Sequence, residues 1–193
     1  MTTAATTELT RTVDGTEVPG AGTYALDASH SDVGFSVRHL MVSKTKGRFS
    51  GVSGTVLIAE DPLASSVEVS IDVASLDTRD ATRDGHLLSP DFFDVEQHPT
   101  ITYRSTKVTP AGKDRWTVDG DLIVRGTTRP VALEVSFEGG AKDPWGGQRL
   151  GFTAKAEVDR EDFGLTWNQA LETGGVLVGK TAKLEIEAEA VRQ

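Results

Sequence analysis

Residues 78–99 read TRDATRDGHLLSPDFFDVEQHP, and they break a pattern that most of the chain keeps. Elsewhere apolar and polar side chains alternate. Here Ala81–Leu88 holds helix formers with no β-branched run after Thr82. Ser89-Pro90 ends that turn, because the residue before a proline is pushed out of the α region. Phe92 and Phe93 follow, flanked by Asp91 and Asp94. Two adjacent rings among carboxylates cannot both face water cheaply. The stretch predicts a short helical insert around 80–93 with an aromatic plug, laid over or into a sheet.

Eight alternating runs surround the insert. Val33, Phe35 and Val37 form the first. Val56 and Ile58 continue a second past Gly51 and Gly54, where a bend or bulge is expected. Val67, Val69, Ile71 and Val73 form the third. After the insert come Ile101, Tyr103 and Ser105, then Trp116, Val118, Gly120, Leu122 and Val124. Val131 to Phe137, Leu150 to Val158 and Leu184 to Ala190 complete the set. Period two over these lengths is the mark of half-buried strands. Residues 139–147 and 159–181 read as irregular.

Short turns between the runs predict an antiparallel meander. Its single apolar face must be covered, and the chain offers no long amphipathic helix. A β-sandwich and a closed barrel both satisfy the pattern. Closure removes the exposed edges and accounts for the interior glycines. An eight-stranded barrel can be filled by side chains or hold one small ligand.

Several phrases settle on one family. Arg83-Asp84-Gly85-His86-Leu87-Leu88-Ser89-Pro90-Asp91-Phe92-Phe93-Asp94 resembles the signature of the YceI-like family. Val37-Arg38-His39-Leu40, Gly47-Arg48-Phe49, Pro99 to Ser105, Gly120-Asp121-Leu122, Arg125 to Val131 and Arg160 to Gly164 agree in order. The resemblance spans about Gly22 to Val191. It implies an all-β, eight-stranded, up-and-down, lipocalin-like barrel that holds a polyisoprenoid chain, and it selects the barrel over the sandwich.

The 193 residues suit one domain with a sizeable core. A net charge of −9 disfavours nucleic acid and anionic membrane surfaces as main partners. Cysteine is absent, so disulfides and thiolate chemistry are excluded. No apolar run is long enough for a transmembrane helix. The start, MTTAATTELTRTVDGTEVPG, lacks the basic beginning and apolar core of a secretory signal. Residues 1–21 therefore read as a disordered tail, residues 22–193 as the barrel domain, and the protein as cytoplasmic. Many members of the family carry an export signal, so this is a departure.

The four histidines, His30, His39, His86 and His98, have no metal-ligand spacing, and no metal site is expected. Arg38-His39 with Lys44, Lys46 and Arg48 forms a basic patch on an acidic protein. It reads either as a head-group contact at the barrel mouth or as a solvated turn. Asp84, His86, Asp91 and Asp94 resemble parts of an acid–base site, but no serine sits in a GxSxG elbow. Asp84 reads equally well as a brace for the helix, and Asp91 and Asp94 as turn caps. No catalytic residue is expected.

Three functions fit: a carrier of an apolar lipid, an enzyme using His39 or His86 with a nearby carboxylate, and a filled structural barrel. The resemblance favours the carrier. It implies a polyisoprenoid or quinone-like lipid as the bound group and no other cofactor. The residues expected to touch that lipid are Phe35, Val37, His39, Phe49, Phe92, Phe93, Tyr103, Trp116, Leu122, Phe137, Phe152, Ala154, Phe163 and Trp167. The expected partner is the hydrophobic lipid itself, with no nucleic acid, no integral membrane span and room for a homodimer.

Overall fold

The computed structural model describes residues 8–193. Strands β1 (Thr10–Val13) and β2 (Thr16–Pro19) form a small hairpin. The main sheet contains β3 (Gly22–Leu26), β4 (Asp32–His39), β5 (Ser43–Phe49), β6 (Val52–Ile58), β7 (Ser66–Asp72) and β8 (Leu76–Asp77). Helix α1 (Ala81–Leu88) follows, and then β9 (Thr100–Pro110), β10 (Arg115–Val124), β11 (Thr127–Lys142), β12 (Gln148–Asp159) and β13 (Val178–Arg192).

Eight of these strands close into an antiparallel barrel in the order β3-β6-β7-β9-β10-β11-β12-β13, with β13 returning to β3. The long β13 pairs with β3 through Ala190–Arg192 and with β4 through Val178–Glu187. So β3 and β4 are one stave interrupted at residues 27–31. By the same register β5 runs on into β6, and β7 into β8. Beyond the barrel, β4, β5 and β8 continue as a three-stranded extension.

The predicted bend falls at Gly51. Its carbonyl accepts from the Asp72 N–H at 2.7 Å, and Asp72 Cβ leaves no room for a side chain there. At Gly54 an added Cβ would lie 2.3 Å from the Glu68 carbonyl oxygen. Glycine lets these staves cross closely where any larger residue would push them apart.

The insert is clamped to the sheet by the buried Thr78. Its N–H and hydroxyl both donate to Asp84 Oδ1, at 2.9 and 2.5 Å. Arg83 donates to the Thr78 hydroxyl at 2.8 Å and to its carbonyl at 2.7 Å. Asp80 caps α1 by accepting from the Arg83 N–H. Asp84 thus braces the helix.

Two expectations change. The tail over residues 1–21 is folded across its second half, and residues 1–7 lie outside the described residues. Asp14 and Gly15 both take positive φ, 50° and 78°, which makes the tight turn of the β1–β2 hairpin. Val18 is 1 % exposed, and Arg11 donates to the Ala59 carbonyl at 2.5 Å. Threonine favours strands, so the polar composition concealed a hairpin and not a disordered lead-in. The loop expected over 139–147 is shorter, because β11 continues to Lys142. Gly140 is kept bare within that strand because Leu9 lies on it; an added Cβ would stand 2.7 Å from Leu9 Cγ.

Candidate functional site: an apolar cavity in half of the barrel

The barrel has two dissimilar ends. One carries the 40–42 turn, the insert and the irregular 160–177 segment. The other carries the β1–β2 hairpin and the 59–65, 111–114 and 143–147 connections. A cavity of about 210 Å³ occupies the half toward the hairpin. Its wall comes from the inward faces of the staves, including Val69, Val118, Leu122, Val135, Ala154 and Ile186. Val18 and Pro19 of β2 cover it, and Pro62 and Ser65 border it from the 59–65 connection.

The wall offers a ligand almost no polar group. The Tyr103 hydroxyl donates to the Val118 carbonyl at 2.8 Å and to the Val131 carbonyl at 3.2 Å. Burial, with Asp119 and Asp121 nearby, pushes that phenol above its ordinary pKa, so it stays neutral. Ser31 bonds to the Glu189 backbone, and Ser65 accepts from the Ala59 N–H. Glu187 borders the cavity from β13, but it is exposed and alternates with the inward Ile186 and Ala188, so its carboxylate faces outward.

The other half is filled by rings. Phe49 packs against Phe35 and Phe93, each with centroids 5.7 Å apart. Phe92 lies 5.4 Å from Trp167, and His86 meets both edge-on. Phe163 is buried in the same cluster. The segment carrying Trp167 is tied down by Arg160, 6 % exposed, whose guanidinium donates to the carbonyls of Gly179, Leu165, Trp167 and Val178. Asn168 adds bonds to both backbone groups of Val178.

The residues singled out from the sequence divide accordingly. Tyr103, Trp116, Leu122, Phe152 and Ala154 line the cavity. Phe35, Phe49, Phe92, Phe93, Phe163 and Trp167 form the plug at the other end. Phe137 packs on Phe152 in a second core with Tyr24, Ile58, Leu150 and Ala190. Val37 and His39 lie on the β4 extension, away from the cavity. Arg38, Lys44, Lys46 and Arg48 are exposed on the alternate face of that same ribbon, so the basic patch sits at the plugged end and not at the cavity.

His86 Nε2 and Asp91 Oδ2 are 2.9 Å apart. Both are part-exposed on the insert, outside the cavity. The pair joins α1 to the turn after it. His39 has no carboxylate within ion-pair distance among the described residues.

Sequence reading missed one cluster. Asp27, His30 and Glu189 bring three ligand-type atoms within 4.8 Å of one another. The Arg149 guanidinium binds Asp27 at 2.7 Å, and also Glu189 and Asp143. A cation therefore already sits between these carboxylates. Asp27 and His30 are three residues apart and Asp143 and Arg149 six, but strand pairing alone brings these two pairs and Glu189 together, so no spacing rule finds the cluster.

No helix among the described residues is long and apolar enough to cross a membrane. Among curated proteins, a UPF0312 protein of Vibrio cholerae is 40 % identical over 150 residues, covering 75 % of this chain and 78 % of the relative. The crystal structure of Burkholderia cenocepacia BcnA superposes with a TM-score of 0.75 at 22 % identity, over 85 % of this chain and 98 % of that one. A polyisoprenoid binding domain from Saccharophagus degradans, implicated in plant cell wall breakdown, gives 0.67 at 15 % identity, over 88 % and 98 %. The family model for the YceI-like domain matches residues 24–190, nearly the whole barrel, and this chain belongs to that family.

Proposed function

We propose that the cavity binds a long apolar lipid, a polyisoprenoid or isoprenoid-quinone chain, and that the protein carries or sequesters it without transforming it. The observation that carries this reading is the wall itself. It is apolar along its length, and its one phenol is spent on two backbone carbonyls. Each methylene withdrawn from water contributes about 0.8 kcal/mol before ordering costs, so several isoprene units suffice without a polar contact. The relative from Saccharophagus, described as polyisoprenoid binding, supports the same chemistry. An activated nucleophile or an acid–base pair facing the lumen would be needed for turnover; the lining's serines, Ser31, Ser65 and Ser66, have no histidine beside them in the wall among the described residues. The basic ribbon, at the other end, takes no part in head-group choice.

The test is mass spectrometry of an organic extract of the purified protein, alongside Ala154→Trp. Ala154 is buried in the wall between Val135 and Ile186. The wild type is expected to release an apolar lipid. The variant is expected to stay folded and carry none. A folded Ala154→Trp protein with a full load would place the binding site elsewhere.

A further inference from the structure

The turn joining β4 to β5 is built against ordinary preferences. Its central residues, Leu40 and Met41, both take left-handed backbone, with φ of 52° and 61°. Asparagine, aspartate and glycine adopt that conformation readily; large apolar side chains are strained in it. The turn is nevertheless held closed. The Val42 N–H donates to the His39 carbonyl at 3.2 Å, and the Leu40 N–H to the Leu177 carbonyl at 2.9 Å. The side chains face solvent: Leu40 is 40 % exposed, Met41 58 % and Val42 79 %. Val176, on the neighbouring loop, is also exposed. Strain of this kind persists where the presented side chains have a use.

The strands leading to this tip are cationic. Arg38 pairs in register with Lys44, and Lys46 follows on the same face. Among the described residues, none of the three has an acidic partner within ion-pair distance, whereas Arg48 reaches Asp77 at 3.6 Å. A protein of net charge −9 thus concentrates free positive charge beside its most exposed contiguous apolar residues.

We propose that the 40–42 tip docks the protein on an anionic lipid bilayer, with Leu40, Met41 and Val42 entering the interface and Arg38, Lys44 and Lys46 lying over the head groups. Apolar side chains ringed by cations are the chemistry that such a surface recognises. The remaining negative charge is repelled from the same surface, so only one orientation is admitted, with the plugged end of the barrel toward the membrane. The docking stands whether or not the cavity carries a lipid.

Flotation of the full chain with phosphatidylcholine vesicles, with and without phosphatidylglycerol, tests this. Binding is expected only with phosphatidylglycerol and is lost in molar salt. Lys44→Glu is expected to weaken it by roughly fivefold or more. Leu40→Asn with Met41→Gly is expected to reduce binding by roughly tenfold or more, while the melting temperature holds or rises, because these residues suit the turn. A destabilised variant would not count as support; Val42→Ser, outside the strained pair, then provides the readout. The proposal is overturned if the wild type ignores anionic vesicles at low salt, or if the folded tip variants bind as well as it does. It is overturned too if the tip variants only dissolve a dimer seen by light scattering, which would make the tip a contact between copies.

Discussion

Gly120 lies beneath the ring of Tyr103: a Cβ at residue 120 would stand 2.5 Å from Tyr103 Cζ and 2.6 Å from the Arg104 carbonyl oxygen. The bare backbone of β10 lets the phenol lie flat enough to reach the Val118 and Val131 carbonyls. The small residue therefore serves the wall of the cavity, by keeping a ring out of it.

Gly120→Ala should push that ring inward. A cost of about 1–3 kcal/mol is expected from overpacking against backbone that cannot yield, with a reduced lipid load. Tyr103→Phe keeps the shape and loses the hydroxyl. It should cost only about 0.5–1.5 kcal/mol and leave the load intact. Urea denaturation and extract mass spectrometry check both. Equal loads in the two variants would mean that the ring does not border the ligand.

The β1–β2 hairpin should matter for stability and for retention. Val18 is 1 % exposed, and burying a valine contributes about 1.5–3 kcal/mol. Val18→Asp, or removal of residues 1–20, should lower the melting temperature by several degrees and speed release of an apolar fluorescent probe. Unchanged stability with unchanged release would show that the hairpin merely rests on the barrel.

The staves and the insert were legible because each is local. Period two survives in Trp116 to Val124 and Leu184 to Ala190, and α1 runs over the residues Ala81–Leu88 that composition marked out. The hairpin was legible in one place only, Asp14-Gly15, a strong two-residue turn signal lost among threonines. The division of the lumen was not legible. Phe35 and Phe152 occupy equivalent inward positions in their strands, yet one meets Phe49 in the plug and the other borders the cavity. Which rings meet depends on barrel register and on where the insert folds back. The Arg149 cluster adds to Asp143, of its own hairpin, residues 27 and 189, which only the pairing of distant strands brings near.

That cluster should govern acid sensitivity. Hydrogen bonds from Ser29, Arg149 and His30 hold the Asp27 carboxyl well below the usual range, and Arg149 with backbone N–H groups lowers that of Asp143. Their folded-state pKa values are lower than the unfolded ones, near 4. The ionised forms therefore stabilise the fold above that value. The contribution is lost as pH falls below about 4 through the folded values. Arg149→Met should be less stable at neutral pH, with three carboxylates left facing one another, and should lose less between pH values near 7 and near 3. Parallel urea titrations at both pH values decide it. An unchanged pH slope in the variant would assign acid sensitivity to other carboxylates.

The aromatic plug separates a structural role from a gating one. Phe92 is 5 % exposed and touches both Trp167 and His86, whereas Phe93 is only part-buried and meets Phe49 edge-on. Phe92→Ala should cost about 3–5 kcal/mol, because the cavity it leaves is enclosed by rings that Arg160 holds in place. Phe93→Ala should cost less, since its site is already partly open to water. If the plug is purely structural, both variants lose stability and probe release follows that loss. If the insert is the gate, Phe93→Ala speeds probe release more than its stability change accounts for, and the effect persists in a protein whose β1–β2 hairpin is intact. Release unaffected by Phe93→Ala, but accelerated by Val18→Asp, would put the working mouth at the hairpin end of the barrel.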